Sequence, residues 1–170
     1  PYPVRWWNGT SAVLDFSNPQ SVEWFRKQLD NLTENYGVDG FKFDAGDFNF
    51  YPMDAVSKGG YLPADQCKAF SEIGIQYPYN EFRASWKMGG QPLVQRLQDK
   101  VHSWTDLQKL IPEMLVQNLL GYTFSCPDMI GGGSMESFLV KSKIDQDLIV
   151  RSAQCHALMT MMQFSVAPWR

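Results

Sequence analysis

In the stretch Asp39-Gly-Phe-Lys-Phe-Asp-Ala-Gly-Asp47, a short apolar run ends in a carboxylate. Residues 40–44 of this stretch predict a compact buried strand. Upstream, Asn18 and Pro19 supply an N-cap and a first-turn proline, and apolar residues at spacings of three and four predict a helix that ends at Gly37. Downstream, a long loop leads to a second predicted helix over residues 64–74. A strand between two helices is the unit from which parallel sheets are built.

The same alternation continues along the chain and predicts six strands in all. Besides residues 40–44, strands are expected over residues 11–16, 80–84, 94–98, 122–125 and 163–166. A capping box at Ser103 opens a third helix that ends at Gly121, and a fourth is expected over residues 145–161. Its inward stripe is predicted to be Leu148, Cys155, Met159 and Met162. No dinucleotide glycine fingerprint follows any strand, whereas carboxylates follow several, so a (β/α)8 barrel is favoured over an open doubly wound sheet.

Composition narrows the class of protein. The 170 residues are 44% hydrophobic and 19% charged, which provides a core and excludes intrinsic disorder. Fifteen Lys and Arg stand against eighteen Asp and Glu without a clustered basic stretch, so no nucleic-acid partner is expected. The three cysteines and two histidines lack zinc-ligand spacing, and free thiols are expected. Two sequons, Asn8-Gly-Thr10 and Asn31-Leu-Thr33, are compatible with a secretory route.

Four aspartates follow predicted strands: Asp44, Asp47, Asp99 and Asp128. Because all strands of a parallel barrel end on one face, these carboxylates are expected to converge there. Convergent carboxylates suggest glycoside hydrolysis, which needs a carboxylate and a carboxylic acid on opposite sides of a glycosidic oxygen. An aspartate after a strand also commonly caps the next helix, and that alternative stays open for each of them.

Charged and aromatic side chains accompany these carboxylates. Lys42 shares a strand face with Asp44, so it either keeps that carboxylate ionised and donates to sugar hydroxyls or forms a buried structural ion pair. Arg83-Ala-Ser-Trp86 offers a guanidinium and an indole at a strand end, and Trp6-Trp7 offers an aromatic pair. For each indole, core packing is the alternative to a role in a ligand site.

These residues carry a family resemblance. The stretch from Asp39 to Asp47 resembles the nucleophile segment of glycoside hydrolase family 31, in the variant with lysine before the aspartate. Further matching segments are Trp6-Trp-Asn-Gly, Leu14-Asp-Phe-Ser-Asn-Pro19, Arg96-Leu-Gln-Asp99 with Trp104, Gly121-Tyr-Thr-Phe-Ser-Cys-Pro-Asp-Met-Ile-Gly-Gly132 and Met162-Gln-Phe-Ser-Val-Ala-Pro-Trp-Arg170. The resemblance implies an α/β fold in which residues 1–170 form a partial (β/α)8 TIM barrel, roughly its third to eighth strands. The β-rich domains of the family would lie outside this span, and six strands by themselves are expected to fold poorly.

The resemblance also implies roles for individual residues. Asp44 matches the nucleophile and Asp99 the general acid/base. Four further positions match residues that line the sugar subsite: Trp7, Lys42, Arg83 and Asp128. Trp86 is expected to fix the plane of the Arg83 guanidinium. Asp47 stands where relatives carry glutamate, and its shorter side chain is expected to pull a supporting hydrogen bond out of reach.

The implied activity is that of a retaining α-glycosidase on terminal α-galactosides, without a metal or cofactor. The alternatives are another specificity of the lysine-type branch, such as α-xylosides, sulfoquinovosides or α-glucosides, and a catalytically silent sugar-binding relative. A carbohydrate is the expected partner. The resemblance further implies that the parent protein lies in the lumen of the endoplasmic reticulum and forms oligomers. Its membrane anchor would lie outside this span.

Overall fold

The computed structural model describes residues 3–7, 9–138, 144–165 and 167. They divide into two compact units, Pro1–Leu93 (unit 1) and Val94–Arg170 (unit 2). Both units combine parallel strand pairs with helices, which confirms the predicted α/β class. Among the described residues, no helix has the length and apolar character needed to cross a membrane.

Unit 1 consists of a hairpin followed by strand–helix alternation. Its elements are β1 (Pro3–Trp6), β2 (Gly9–Ala12), α1 (Pro19–Tyr36), β3 (Phe41–Phe43), a 3₁₀ turn (Phe48–Phe50), α2 (Pro63–Gly74) and β4 (Asn80–Phe82). β1 and β2 pair antiparallel, whereas β3 and β4 pair parallel, with Lys42 opposite Glu81 and Phe43 opposite Phe82.

Local signals set the boundaries of α1. The Asn18 side chain accepts a hydrogen bond from Gln20 N, Pro19 opens the first turn, and Gly37 ends the helix in the left-handed region at φ 65°. The predicted helix is therefore confirmed at both ends. The predicted strand over residues 11–16 is wrong beyond residue 12, because only residues 9–12 find a strand partner in β1. After them the chain turns at Asp15, whose carboxylate accepts from the backbone of Ser17 and Lys58.

Phenylalanine rings form the core of unit 1. Phe43 stacks on Phe82 with ring centroids 4.9 Å apart, and Phe70 of α2 meets Phe43 edge-on at 5.7 Å. Gly74 lets α2 approach this cluster closely, since a Cβ there would lie 2.4 Å from Phe82 Cζ. The packing of these rings fixes β3 and β4 relative to each other and thereby positions the residues that follow both strands.

Unit 2 repeats the strand–helix alternation. Its elements are β5 (Val94–Arg96), α3 (Trp104–Leu119), β6 (Phe124–Cys126), a 3₁₀ turn (Met135–Phe138) and α4 (Gln146–His156), and β5 pairs parallel with β6. Ser103 caps α3 by accepting from Asp106 N, which confirms the predicted start of that helix. The predicted strand over residues 163–166 is reduced to a single parallel bridge between Met129 and Gln163, and residue 166 lies outside the described residues.

The helix α4 is shorter than expected. It ends at His156 rather than near residue 161, and its buried stripe is Leu148, Ser152 and His156. The predicted stripe is confirmed at Leu148, but the other two buried positions carry polar side chains, which a hydrophobicity pattern does not select. Cys155 of this helix is half-buried and, like the buried Cys67 and Cys126, is a free thiol, as expected.

Burial of His156 makes the stability of unit 2 dependent on pH. The ring is 2% exposed, and its Nδ1 has no hydrogen-bond partner among the residues that the structure describes. Burial lowers the pKa of His156 from its ordinary 6.5 to about 4. The unfolded chain therefore takes up a proton at His156 below pH 6.5, while the folded chain stays neutral down to about pH 4. The free energy of unfolding is largest above pH 6.5 and falls as the pH drops through this window.

We expect this loss to reach roughly 3 kcal/mol between pH 6.5 and pH 4, at about 1.4 kcal/mol per unit of pKa shift. Hydrogen exchange of the α4 amides in the full-length protein measures it, with parent and His156→Gln compared at the same pH values. The parent should lose protection between pH 7 and pH 5, and His156→Gln should lose less. Equal losses in the two proteins would contradict the assignment to His156.

Candidate active site

Parallel pairing brings Asp44 and Arg83 together at one edge of unit 1. Asp44 directly follows β3 and Arg83 directly follows β4, and the backbone N–H of Arg83 donates to the carbonyl of Phe43. Arg83 Nη1 lies 3.4 Å from Asp44 Oδ1. The Asp44 side chain is 42% exposed, so its carboxylate is both charge-paired and open to solvent. The next residue, Ala45, is in the left-handed region at φ 64°, and its N–H donates to Asp44 Oδ1.

Asp47 holds the Arg83 guanidinium from another side. Its Oδ2 accepts hydrogen bonds from Arg83 Nε at 3.0 Å and from Nη2 at 2.6 Å. Charge-assisted bonds of this length are among the stronger polar contacts in proteins. The expectation that the shorter aspartate loses its supporting hydrogen bond is not met for this pair, because the aspartate reaches the arginine directly.

Trp7 supplies the aromatic face against Arg83. The guanidinium carbon lies 4.5 Å from the centroid of the Trp7 ring and 5.7 Å from that of Phe50. The Trp86 ring lies beneath Lys87, and its expected contact with the Arg83 guanidinium stays a prediction. Trp7 is 61% exposed, which leaves much of the indole surface available to a ligand.

Lys42 pairs with a carboxylate that the sequence analysis did not single out. Its Nζ lies 3.8 Å from Glu81 Oε1, the residue opposite it in the β3–β4 register. The cation beside Asp44 is accordingly Arg83, not Lys42 as the shared strand face suggested. A charged residue inside the predicted strand over residues 80–84 was the available signal for Glu81. The ammonium of Lys42 is partly exposed, so its predicted contact with a sugar stays a prediction.

In unit 2, Arg96 joins two of the predicted site residues. Arg96 ends β5, and its Nη1 donates to Asp99 Oδ1 at 2.6 Å and to Asp128 Oδ1 at 2.9 Å. The Asp99 side chain is 47% exposed, whereas the Arg96 side chain is 2% exposed. The carboxylate assigned to acid/base chemistry thus reaches solvent while its cation is enclosed.

Asp128 lies beneath this surface. It has no exposed area, and its Oδ2 accepts from the backbone N–H of Lys100 and of Gly133, both at 2.9 Å. A Cβ at residue 133 would come within 2.4 Å of Asp128 Oδ1, so glycine is required for this approach. Burial raises the pKa of Asp128, opposed by the Lys100 N–H and by Arg96. The expected place of Asp128 at the sugar subsite stays a prediction, and the enclosed carboxylate contacts Arg96 and two backbone N–H groups.

Comparison with known proteins identifies the family. Residues 1–167 match the Glycosyl hydrolases family 31 TIM-barrel domain. The chain belongs to glycoside hydrolase family 31. Within the described residues, no group of three or more His, Cys, Asp or Glu side chains is arranged to hold a metal ion.

Two relatives can be aligned with nearly all of the chain. The myogenesis-regulating glycosidase of Mus musculus is 35% identical over 182 residues, which span 100% of this chain and 25% of that protein. The SITS-binding protein of Tetronarce californica is 30% identical over 168 residues, which span 96% of this chain and 24% of that protein. The chain therefore spans about a quarter of the length of these relatives.

Solved structures confirm the barrel fold. A cycloalternan-forming enzyme from Listeria monocytogenes matches 99% of this chain and 17% of its own, with a TM-score of 0.76 and 19% identity. A family 31 sulfoquinovosidase from E. rectale matches 96% of this chain and 26% of its own, with a TM-score of 0.77 and 21% identity. Together with the family match, these similarities confirm the predicted partial TIM barrel.

The contacts of Arg83 predict a loss that lysine does not rescue. Arg83→Lys in the full-length protein removes the two-nitrogen contact with Asp47 while keeping the positive charge. We expect kcat/KM on an activated aryl α-glycoside to fall by about 10² or more, the scale of one well-placed donor in an active site. Arg151→Lys, the same change at an arginine of α4 that bonds Gln154, is the matched control. Kinetics of Arg83→Lys within about twofold of the parent would contradict a role in the site.

Proposed function

We propose that the full-length protein is a retaining α-glycosidase that hydrolyses terminal α-galactosides, with Asp44 as nucleophile and Asp99 as general acid/base. The observation that carries the proposal is the exposed Asp44 carboxylate, charge-paired with Arg83 at the end of β3, in a chain that belongs to family 31. Carboxylates are the nucleophiles of retaining glycosidases, and the Arg83 guanidinium and the Ala45 N–H both contact Oδ1 of Asp44.

The two aspartates divide the reaction between them. Asp44 attacks the anomeric carbon while the proton of Asp99 goes to the departing glycosidic oxygen, which leaves a glycosyl ester on Asp44. Asp99, now a carboxylate, takes a proton from water, and the hydroxide oxygen displaces Asp44 from the anomeric carbon. At the end Asp44 is again a carboxylate and Asp99 is again a carboxylic acid, and the sugar keeps its anomeric configuration. No metal or cofactor enters this scheme.

The α-galactoside class comes from the family resemblance of the segment from Asp39 to Asp47, and the chain's similarity to the myogenesis-regulating glycosidase supports a glycoside as substrate. A sulfoquinovosidase among the structural neighbours makes sulfoquinovosides the second candidate, and the partly exposed Lys42 ammonium would suit a sulfonate. The presence of both Asp44 and Asp99 disfavours a silent sugar-binding protein, because binding alone needs neither an acid nor a nucleophile. Aryl α-galactoside and aryl α-sulfoquinovoside, tested side by side, separate these candidates.

Trapping of the intermediate tests the nucleophile. The full-length protein is incubated with a cyclophellitol-type or fluorosugar inhibitor of galacto configuration and digested, and the labelled peptide is sequenced. We expect the label on Asp44 and neither label nor turnover with Asp44→Ala, because no other group there forms the ester. Asp39→Ala, which removes an exposed aspartate just before β3, should label like the parent. A label on any other residue of the parent would overturn the assignment.

Substrates with different leaving groups test the acid/base. Asp99→Ala should slow hydrolysis of alkyl galactosides and disaccharides far more than that of nitrophenyl galactosides, because only poor leaving groups need a proton. Azide should restore turnover of the nitrophenyl substrate by replacing the activated water, with glycosyl azide as product. Equal slowing of both substrate classes, without azide rescue, would move the acid/base role to another residue.

A further inference from the structure

Arg96 lies between an exposed carboxylate and a buried one. A single nitrogen, Nη1, donates to Asp99 Oδ1 at the surface and to Asp128 Oδ1 below it, and also to the carbonyl of Leu97. Because the Arg96 side chain is 2% exposed, its charge is balanced by these carboxylates rather than by water. These hydrogen bonds therefore fix the position of the guanidinium beneath the Asp99 carboxylate.

Asp128 fixes this arrangement from two loops at once. Its Oδ2 accepts from Gly133 N in the loop after β6 and from Lys100 N, the residue that follows Asp99. The carbonyl of Lys100 in turn accepts from Ser134 N at 3.0 Å. The backbone on one side of Asp99 and the side chain that contacts its carboxylate are thus both anchored to Asp128.

This geometry distinguishes the two oxygens of Asp99. Oδ1 accepts the hydrogen bond from Arg96, which leaves Oδ2 to carry the proton. When Oδ2 gives its proton to the leaving oxygen, the negative charge that develops on the carboxylate lies beside the guanidinium. When the carboxylate then takes a proton from water, the same bond holds Oδ2 toward that water.

We propose that Arg96 is a positioning residue that orients Asp99 for both proton transfers, with Asp128 as its buried anchor. The proposal rests on the proposed function, in which Asp99 is the general acid/base. Because the Arg96 side chain is enclosed and bonds Asp99, its role is to act through Asp99 and not on the sugar itself.

The test compares Arg96→Lys and Asp128→Asn with the parent and with Asp99→Ala, all in the full-length protein. For each, kcat/KM is measured on a nitrophenyl α-galactoside and on an alkyl α-galactoside, with and without azide, and inhibitor labelling of Asp44 is measured separately. Glu113→Gln is the matched control, because it removes the ion pair of the Lys100 side chain next to Asp99 without touching Arg96.

We expect Arg96→Lys and Asp128→Asn to lower kcat/KM on the alkyl substrate at least tenfold more than on the nitrophenyl substrate. Azide should raise turnover of the nitrophenyl substrate, and labelling of Asp44 should persist, since the nucleophile needs no help from Arg96. Glu113→Gln should keep the parental ratio between the two substrates. This selectivity would follow from misplacement of the acid and not from general loss of structure.

Equal losses on both substrates in Arg96→Lys and Asp128→Asn, while Asp99→Ala shows the selective loss, would overturn the proposal and leave the proposed function standing. If Arg96→Lys does not fold, Asp128→Asn decides, because it keeps the shape of the side chain while it removes the charge and one of the two acceptor oxygens. Absence of the selective loss in Asp99→Ala itself would overturn the proposed function and the role of Arg96 together.

Discussion

One arginine paired with two aspartates at the end of parallel strands is the interaction on which each unit depends. Arg83 follows β4 in unit 1, and Arg96 ends β5 in unit 2. Since parallel strands end at the same edge, a cation after one strand reaches carboxylates after its neighbour. An enclosed guanidinium is stable only while carboxylates neutralise it, and loss of one partner of such a pair costs about 3–5 kcal/mol. The strand ends and the loops that follow them are therefore held by the same contacts that shape the site.

The two aspartates of each group lie at different depths, which agrees with the different tasks proposed for them. Asp44 and Asp99 are 42% and 47% exposed, so a ligand can reach each carboxyl group. Asp47 and Asp128 are 28% and 1% exposed and hold the arginine from behind. The deeper aspartate fixes the guanidinium, and the guanidinium fixes the outer aspartate. Proposed catalysis uses the outer pair, whereas the inner pair supplies the geometry.

Elements whose signals are local in the sequence were predicted well. The cap at Asn18 and the left-handed Gly37 define α1 without reference to the rest of the chain. Errors arose where the deciding partner is distant. The strand near residues 9–12 exists because β1 pairs with it, and α4 buries Ser152 and His156 on the face that packing selects. A hydrophobicity pattern contains neither the pairing partner nor the choice of a polar inward face.

The sequence by itself determined the residue types at the strand ends, the alternation that makes a barrel, and the resemblance to family 31 in the segment that contains Asp44. Only the tertiary structure decided which side chains pair. It set Lys42 against Glu81 through strand register, placed Trp7 on the Arg83 guanidinium, and enclosed Asp128. Residue types and helix signals are local properties of the sequence, whereas strand register, ring stacking and burial depend on contacts between segments far apart in sequence.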